Sequence, residues 1–508
     1  MTLVETHKMN LSDAPTLNQD TLPQATGLQF PDQLIYRGYS APVRIEGEVH
    51  DLEVIGTLPR ELNGAYFRNS ADPTYPPLLG KDIFLNGDGM VHSVQFDNGH
   101  ADLVTRYVRT TKFELERKAR RALFGAYRNP FTDRAEVAGQ DNNTANTSML
   151  WHHGKLYALK ESGRPYELDP ATLQTLGERD FNGQLKGKTF TAHPKLDPET
   201  GECIAFAYNA SGEASAEIDL FTMSPQGEFT HSETFTAPYC SMVHDFLVSR
   251  NYIAFVICPM VCDWSRVKKG EPYWHWDNTK KTMVGVIPRR EGVKAIRWFT
   301  CPAVAMQTHT FNAWEEGSVL HLDHVVTGSG WLSQFPDIHD PDAKEKPPFG
   351  ERWSLDLGQA EDSFSIKRLI NHVGEMPVID PRFAMKRARH FWFGTFNPAY
   401  GPMLPMGPKG PPFTCLGHFD EAADKLNFFY AGPDSAPEEP CFVPRSTNAA
   451  EGDGWLLTMV GRRAENRTDL VILDALHLDR GPVAIVKFPC RVHEGFHGIW
   501  VAAQALAR

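Results

Sequence analysis

The feature that most constrains this sequence is a repeated alternation between short apolar runs and turn-forming residues. After about residue 30, runs of five or six strand-forming residues are separated by Gly, Pro, Asn and Asp, which is typical of all-β folds. Clear runs lie at 155–159, 252–257, 283–287, 426–430 and 455–460. Evenly spaced strands in a chain of 508 residues favour a β-propeller, which closes radially and leaves few exposed edges. We therefore expect one all-β domain over residues 31–508.

Three kinds of segment depart from this pattern. Residues 1–30 are polar and lack periodicity, which predicts a flexible N-terminal arm. Residues 112–125 interleave Phe, Leu and Ala with Glu, Arg and Lys, which predicts an amphipathic helix. Such a helix either caps the β body or lies on a membrane surface, and we favour the cap. Pro- and Gly-rich stretches at 337–350 and 397–412 predict long surface loops.

The composition argues against several classes of protein. A formal charge of -12 without a basic stripe disfavours nucleic acid as a partner. No run of about 18 apolar residues is present, so we expect no transmembrane segment. The sequence shows no signal peptide and its eight cysteines form no CxxC pair, which predicts reduced thiols in a cytoplasmic protein.

Residues 493–497, His-Glu-Gly-Phe-His, match the H-E-x-x-H signature of zinc metallopeptidases. That signature requires a helix, because only then do its two histidines share a face. Gly495 disfavours a helix by about 1 kcal/mol relative to Ala, and residues 483–488 just upstream are typical of a buried strand. We therefore expect that His497 binds metal and that His493 and Glu494 do not, with a zinc peptidase as the alternative.

Four histidines, each beside a predicted strand, stand in distinctive local sequences spread over about 300 residues. They are His193 in Thr-Ala-His-Pro-Lys, His244 in Met-Val-His-Asp-Phe, His309 in Gln-Thr-His-Thr-Phe, and His497. Ligands spread in this way suit a metal on the axis of a closed β structure. Taken singly, each histidine is more often structural than a ligand.

A competing iron motif is the H-x-D triplet of enzymes that hold iron with two histidines and one carboxylate. The triplet occurs three times, beginning at His100, His321 and His477. Three matches in one chain show how little information the triplet carries.

Several further segments, in order over residues 45–500, resemble the carotenoid cleavage oxygenase family and more narrowly its lignostilbene dioxygenase branch. They are Phe67-Arg-Asn69, Asn86-Gly-Asp-Gly-Met-Val-His92, Thr191-Ala-His-Pro-Lys195, Val243-His-Asp-Phe246, Asn312-Ala-Trp-Glu-Glu316, Phe442-Val-Pro-Arg445 and Phe496-His-Gly498. The resemblance implies a seven-bladed β-propeller with a small helical cap over an iron-bearing face.

The same resemblance implies a set of site residues. It assigns His193, His244, His309 and His497 as ligands of one non-haem Fe(2+), with molecular oxygen as co-substrate. Imidazoles suit iron(II), and four of them leave octahedral positions open. The resemblance also implies that glutamates accept the other N–H of three of these rings. The matching positions are Glu161, Glu375 and Glu439, with Glu438 open as an alternative to Glu439.

Lys160 and Tyr127 narrow the expected substrate. In the stilbene-cleaving branch, the residues at these two positions bind the 4-hydroxyl group of the substrate, and Phe84 matches an aromatic residue that stacks on its ring. An ammonium and a phenol placed at that hydroxyl can stabilise a phenolate, which pushes electron density into the conjugated alkene.

We therefore predict an iron-dependent dioxygenase that cleaves the central C=C bond of 4-hydroxystilbenes such as lignostilbene or resveratrol. Cleavage of a phenylpropene such as isoeugenol to vanillin is the close alternative, and carotenoid or apocarotenoid cleavage is less favoured. The remaining alternatives are a zinc peptidase and a non-catalytic propeller. The expected partner is a small phenolic alkene, and the question of a homodimer stays open.

Overall fold

The computed structural model describes most of the chain after residue 27. The described residues are 28–329, 332–340, 342, 346–359, 363–405, 407–408, 410 and 412–507. Of the predicted N-terminal arm, residues 1–27 lie outside them. Antiparallel strands dominate the described part, as the alternation of apolar runs and turns predicts.

Thirteen strands of the described chain lie between residues 47 and 236. They are β1 (Gly47–Val49), β2 (Glu53–Gly56), β3 (Gly64–Asp72), β4 (Asp88–Asp97), β5 (His100–Tyr107), β6 (Ser148–His152), β7 (Lys155–Leu159), β8 (Tyr166–Leu168), β9 (Thr175–Glu178), β10 (Lys195–Leu196), β11 (Cys203–Tyr208), β12 (Glu217–Met223) and β13 (Phe229–Thr236).

The strands from residue 247 onward complete the architecture. They are β14 (Leu247–Val248), β15 (Tyr252–Ile257), β16 (Met260–Val261), β17 (His275–Trp276), β18 (Met283–Pro288), β19 (Arg297–Thr300), β20 (Met306–Glu316), β21 (Val319–Thr327), β22 (Phe349–Asp356), β23 (Phe364–Val378), β24 (His390–Thr395), β25 (Cys415–Asp420), β26 (Lys425–Tyr430), β27 (Ser435–Pro437), β28 (Cys441–Pro444), β29 (Gly454–Arg462), β30 (Arg467–Asp474), β31 (Pro482–Lys487) and β32 (Gly495–Ala502). The strands predicted at 155–159 and 252–257 coincide with β7 and β15, and the other three predicted runs lie within β18, β26 and β29.

Helices are few and short in the described residues. The α-helices are α1 (Thr111–Ala119), α2 (Trp264–Val267) and α3 (Ala503–Leu506). Single 3₁₀ turns lie at Leu34–Tyr36, Gly38–Ser40, Phe84–Asn86, Pro130–Thr132, Ala135–Val137, Val293–Ala295, Pro381–Phe383, Arg463–Glu465 and Leu478–Arg480. None of these helices is both long and apolar enough to cross a membrane.

The described strands form seven blades, apart from β16 and β17, which pair with each other in a separate two-stranded sheet. Blade 1 has the order β1-β5-β4-β3-β32, blade 2 is β6–β9, blade 3 is β10–β13, and blade 4 is β14-β15-β18-β19. Blades 5 and 6 share the long strand β23, which pairs with β22 through its first part and with β24 through its second. Blade 7 has the order β2-β31-β30-β29, with β27 and β28 on the free side of β29. Early and late strands thus pair in blades 1 and 7, which confirms the predicted seven-bladed propeller.

Apolar clusters fill the spaces between neighbouring blades. Strand β7 illustrates the cause: Leu156 and Ala158 pack with residues of blade 1, whereas Tyr157 and Leu159 pack with residues of blade 3. Successive side chains of a strand point to opposite faces, and both faces of this blade are covered. This double coverage explains why the predicted strands are continuous apolar runs rather than alternating ones.

The helix predicted at 112–125 is shorter than expected. Helix α1 ends at Ala119 because Arg120 adopts a left-handed conformation, and the Glu116 carboxylate accepts hydrogen bonds from the amides of Leu123 and Phe124 beyond the end. Phe113 packs on blade 1, as a cap should. Lys112 and Glu116 are buried, however. Part of the helix face that the sequence predicts to be polar therefore points into the protein.

The Pro- and Gly-rich stretches differ from simple surface loops in two respects. Strand β22 already begins at Phe349, inside the stretch 337–350. In the second stretch, Gly407, Pro408, Gly410 and Pro412 line a cavity of about 220 Å³. All eight cysteines are free thiols, as expected.

Candidate metal centre and substrate cavity

Four imidazoles converge where the blades meet. The Nε2 atoms of His193 and His244 lie 3.1 Å apart, and those of His244 and His309 are also 3.1 Å apart. His497 completes the group, in which the candidate ligand atoms of all four residues lie within 4.8 Å of one another. These are the four histidines that the sequence singles out, and together they could hold a metal ion.

Each histidine lies on or just before the edge strand of its blade. His193 and His244 precede β10 and β14, and His309 and His497 lie within β20 and β32. Strand β14 contacts β20, and β32 contacts β6 of blade 2 and β28 of blade 7. Residues remote in sequence therefore meet near the axis of the ring.

Interruptions of strand pairing occur where the site residues lie. Between Gln307 and Thr310, three steps along β20 correspond to two along β21, and His309 lies in this bulge. The same excess of one residue occurs in β32 around His497 and in β23 just after Glu375. An extra residue bends its strand and re-aims the neighbouring side chains. The three bulges thus help to turn strand residues toward a common point.

Three glutamates contact the outer nitrogen of three different imidazoles. The Nδ1 atoms of His244, His309 and His497 lie 3.0, 2.8 and 2.7 Å from carboxylate oxygens of Glu161, Glu375 and Glu439. Because a carboxylate only accepts, each Nδ1 carries the proton and each Nε2 keeps its lone pair for a cation.

Glu438 and Glu439 have different partners in the structure. Glu439 contacts His497, whereas Glu438 pairs with the buried Arg68 at 2.9 Å and accepts a hydrogen bond from the amide of Gly495. Arg68 also contacts a Glu439 carboxylate oxygen at 3.2 Å. One buried arginine therefore neutralises part of the charge of both glutamates.

The imidazoles of the metal centre differ in how readily they take up a proton. Burial, together with the surrounding imidazoles, holds the pKa of His193 well below its usual range. Burial also opposes protonation of His309, but Glu375 outweighs it and raises the pKa of that imidazole. At neutral pH His193 is uncharged, as a metal ligand must be.

Lys160 lies buried in the cavity wall beside Glu161. Its ammonium donates to the backbone carbonyl of Leu85 at 3.0 Å and to the Asn146 side-chain oxygen at 3.1 Å. Burial lowers the pKa of Lys160 to about 8, although Glu161 opposes this shift. At pH 7 the charged ammonium therefore still predominates.

Tyr127 lies behind Lys160 rather than in the cavity wall. Its ring centroid is 5.4 Å from the Lys160 ammonium nitrogen. Its hydroxyl is buried near the Arg128 guanidinium but has no hydrogen-bond partner of good geometry among the described residues. Burial raises the pKa of Tyr127, so the phenol stays protonated and keeps a proton to donate.

A cavity of about 220 Å³ lies against the histidine cluster. Lys160, Glu161, His244, His309 and His497 all contribute to its wall, so the candidate metal centre and Lys160 open into the same space. Phe84 lines the cavity too, with its ring centroid 6.0 Å from that of Phe496. The apolar part of this wall exceeds the polar part, which suits a largely hydrocarbon ligand.

The H-E-x-x-H segment is not helical. Residues 491–494 are irregular, and β32 begins at Gly495. The His493 ring contacts the carbonyl of Ser40, and Glu494 pairs with Arg463 at 2.9 Å. Only His497 joins the metal cluster, so the zinc-peptidase alternative is wrong.

The H-x-D triplets lie outside the cluster as well. His100 pairs with Asp51, and Asp323 pairs with Arg352. None of the three triplet histidines belongs to the metal-ligand group found in the described part of the chain.

Two further residues at the site were not predicted. Asn146 fixes Lys160 and also donates to the carbonyls of Leu85 and Gly87, thereby tying Lys160 to the Phe84 segment. Arg68 braces the glutamates of blade 7. Arg68 stands in the quoted Phe67-Arg-Asn69 motif, which could have indicated it, whereas Asn146 carries no such signal.

Comparisons with known proteins agree with this geometry. The family model of the retinal pigment epithelial membrane protein, RPE65, matches residues 40–502. The chain therefore belongs to the RPE65 family, the carotenoid oxygenases.

Individual relatives match over nearly their whole length. The isoeugenol monooxygenase of Pseudomonas nitroreducens is 42% identical over 466 residues, covering 91% of this chain and 97% of the relative. The lignostilbene-alpha,beta-dioxygenase isozyme III of Sphingomonas paucimobilis is 40% identical over 485 residues, covering 94% and 99%. The crystal structure of Pseudomonas brassicacearum lignostilbene dioxygenase superposes with a TM-score of 0.89 at 37% identity, covering 94% and 100%. The predicted family and fold are confirmed, and the chain is an enzyme of the alkene-cleaving oxygenase class.

Proposed function

We propose that the protein is a non-haem iron(II) dioxygenase that cleaves the central C=C bond of 4-hydroxystilbenes. One alkene and one dioxygen molecule would yield two aromatic aldehydes. The observation that carries this proposal is the buried Lys160 ammonium, which opens into the same cavity as the four histidines. A charge in a mostly apolar wall suits a substrate with one acidic end and a hydrocarbon middle.

The donor set fits iron(II). His193, His244, His309 and His497 would hold the ion through neutral imidazoles, which suit iron(II). The three glutamates would fix three of the rings through their Nδ1–H groups. When bound, the metal would supply the binding and activation of dioxygen.

Lys160 and Tyr127 would act on the phenolic end of the substrate. Two of the three N–H bonds of Lys160 are engaged by Leu85 and Asn146, which leaves one for a ligand oxygen. The Tyr127 hydroxyl still needs a partner, as buried hydroxyls usually have one. Lys160, in the cavity wall, would contact the 4-hydroxyl directly as it loses its proton. Tyr127 lies outside that wall, so its hydroxyl would join the contact where the phenolic end reaches past Lys160. The charge that develops on the phenolic oxygen raises electron density in the alkene.

Phe84 would contact the substrate ring. It lies in the cavity wall on a 3₁₀ turn whose end is held by Asn146 through the Leu85 carbonyl. An offset or edge-on aromatic contact there would orient the ring relative to Lys160. We further propose that residues 31–508 act as one domain.

Cleavage of a phenylpropene such as isoeugenol is the second candidate. It is favoured by the 42% identity to an isoeugenol monooxygenase, which is close to the 40% identity to a lignostilbene dioxygenase. Both substrates carry the para-hydroxyl that Lys160 would bind. Carotenoids lack that group and would leave the buried ammonium unpaired, which is unfavourable.

Substrate class is tested by incubating iron-loaded protein with resveratrol, isoeugenol or an apocarotenal under air and identifying the aldehydes by mass spectrometry. We expect paired aromatic aldehydes from resveratrol with the highest kcat/KM. Faster conversion of isoeugenol to vanillin would favour the second candidate. Cleavage of the apocarotenal alone, or zinc in place of iron in metal analysis, would refute the proposal.

A further inference from the structure

His193 differs from the other three histidines in how it is oriented. The three glutamates of the site contact His244, His309 and His497, one each. His193 lies in an irregular segment just before the two-residue strand β10. A ligand without a carboxylate partner needs another source of rigidity, because ligating rings are normally held by a neighbouring acceptor.

A polar cluster next to the histidines links their chain segments. We call Lys195, Asp245 and Thr310 the clamp. The Lys195 ammonium lies 2.7 Å from one Asp245 oxygen and 2.9 Å from the Thr310 hydroxyl. The other Asp245 oxygen accepts hydrogen bonds from the Thr310 amide and hydroxyl at 2.9 and 2.8 Å.

Each clamp residue lies one or two positions from a histidine of the cluster. Lys195 follows His193 by two residues, whereas Asp245 and Thr310 directly follow His244 and His309. These segments belong to blades 3, 4 and 5. The clamp therefore joins three neighbouring blades at the level of the metal centre.

The clamp is built for rigidity. Asp245 is buried, and its carboxylate also accepts from the amide of Phe246. The Asp245 carbonyl accepts from the Gln307 side chain, whose oxygen contacts His324. A buried carboxylate with this many charged or polar donors has little freedom to rotate, so the three segments it joins hold a fixed separation.

We propose that the Lys195–Asp245–Thr310 clamp sets the spacing of His193, His244 and His309, and takes the place of a glutamate for His193. Asp245 is thus a positioning residue that touches neither substrate nor metal. This inference rests on the proposed iron site. It adds a determinant of metal affinity that the four ligands and three glutamates do not include.

The test is Asp245→Asn, which keeps the shape of the side chain but removes its charge. An amide places a donor where the clamp needs an acceptor, so the segments carrying His193 and His309 separate. Loss of a direct hydrogen-bond partner of a ligating ring typically weakens metal binding by about 10–100-fold. Asp245 acts on the rings only through the segments that carry them, so we expect a loss at the lower end of that range. Anaerobic titration of the metal-free protein with iron(II) against a chromogenic chelator measures it without any substrate.

Two variants separate positioning from general destabilisation. Asp469→Asn removes a different buried carboxylate, which pairs with Arg462 in blade 7, and should leave iron affinity unchanged even if the melting temperature falls. Lys195→Met removes one arm of the clamp from a less buried position, and should weaken iron binding in the same direction. The absorption spectrum of the cobalt(II)-loaded protein should shift in both clamp variants and not in Asp469→Asn.

The outcomes are distinct. Wild-type iron affinity and an unchanged cobalt spectrum in both clamp variants would overturn the clamp and leave the proposed function standing. Equal losses in Asp469→Asn and Asp245→Asn would also overturn it, because the effect would then be one of fold stability. A wild-type protein that binds no iron would refute the proposed function itself.

Discussion

Replacing Lys160 by Met tests the proposed chemistry most directly. Methionine keeps an unbranched apolar stem of similar length and removes the ammonium. The metal site should be little affected, because the Lys160 ammonium contacts Leu85 and Asn146 rather than an imidazole. The expected result is strongly reduced cleavage with iron retained.

The expected loss in kcat/KM follows from the one N–H group of Lys160 that neither Leu85 nor Asn146 engages. Its remaining N–H would make one hydrogen bond between charged groups in a buried site, which contributes about 1.5–3 kcal/mol. At about 1.4 kcal/mol per factor of ten, kcat/KM for a 4-hydroxystilbene should fall by about 10- to 150-fold.

The assay compares kcat/KM for a 4-hydroxystilbene and its 4-methoxy analogue in wild type and variant. The methoxy compound cannot form a phenolate, so wild type should cleave it slowly and Lys160→Met should change that rate little. Lys155→Met is the control, because Lys155 begins strand β7, which Lys160 directly follows, and it is exposed and pairs with Glu167 rather than lining the cavity. Unchanged turnover of the hydroxystilbene, or an equal loss for both substrates, would refute a role for Lys160 at the phenolic oxygen.

Four further outcomes are expected. Because the pKa of Lys160 is lowered to about 8, chiefly by burial, kcat/KM of wild type should fall as pH rises through about 8, and Lys160→Met should lack this decline. His497→Ala should abolish iron binding whereas His493→Ala should retain it in metal analysis, and equal loss from both would contradict the assignment. Gly495→Ala would place a Cβ 2.4 Å from the Arg68 side chain, so chemical denaturation should show a loss of about 1–3 kcal/mol. Lys112→Met should destabilise by about 3–5 kcal/mol in the same assay, because it leaves two buried carboxylates without their cation; a wild-type midpoint would show that they rearrange.

Fold class could be predicted because the blades follow a simple rule. Strands covered on both faces are apolar throughout, as in β7 and β15, and such runs stand out between turns. The number of blades did not follow from periodicity and came only from the resemblance, since blade 1 pairs β3 with β32 and blade 7 pairs β2 with β31. Strands so far apart in the sequence pair without any local sequence pattern that would reveal the pairing.

Site residues could be predicted only in part. The four histidines stand in recognisable motifs, whereas their convergence depends on bulges that no local pattern shows. The end of α1 was mispredicted because Glu116 is occupied inside the protein, by Lys112 and by two amides beyond the helix. Asn146 could not be predicted, because the sequence alone does not distinguish a buried asparagine from one in a turn.

The bulges in β20, β23 and β32 are needed for the metal site but not for the propeller fold. The bulges in β23 and β32 are each a single surplus residue relative to the partner strand, whereas β20 has two in succession, between Gln307 and Thr310 and between Thr310 and Asn312. Losing one codon at such a place would restore regular pairing, preserve the ring and misdirect a histidine or a glutamate. Deletion of Phe496 would show this as a native circular dichroism spectrum without iron binding. A single short deletion would thus leave a propeller of this type folded and stable but without catalytic activity. An enzyme of this fold could evolve directly into a binding protein in this way.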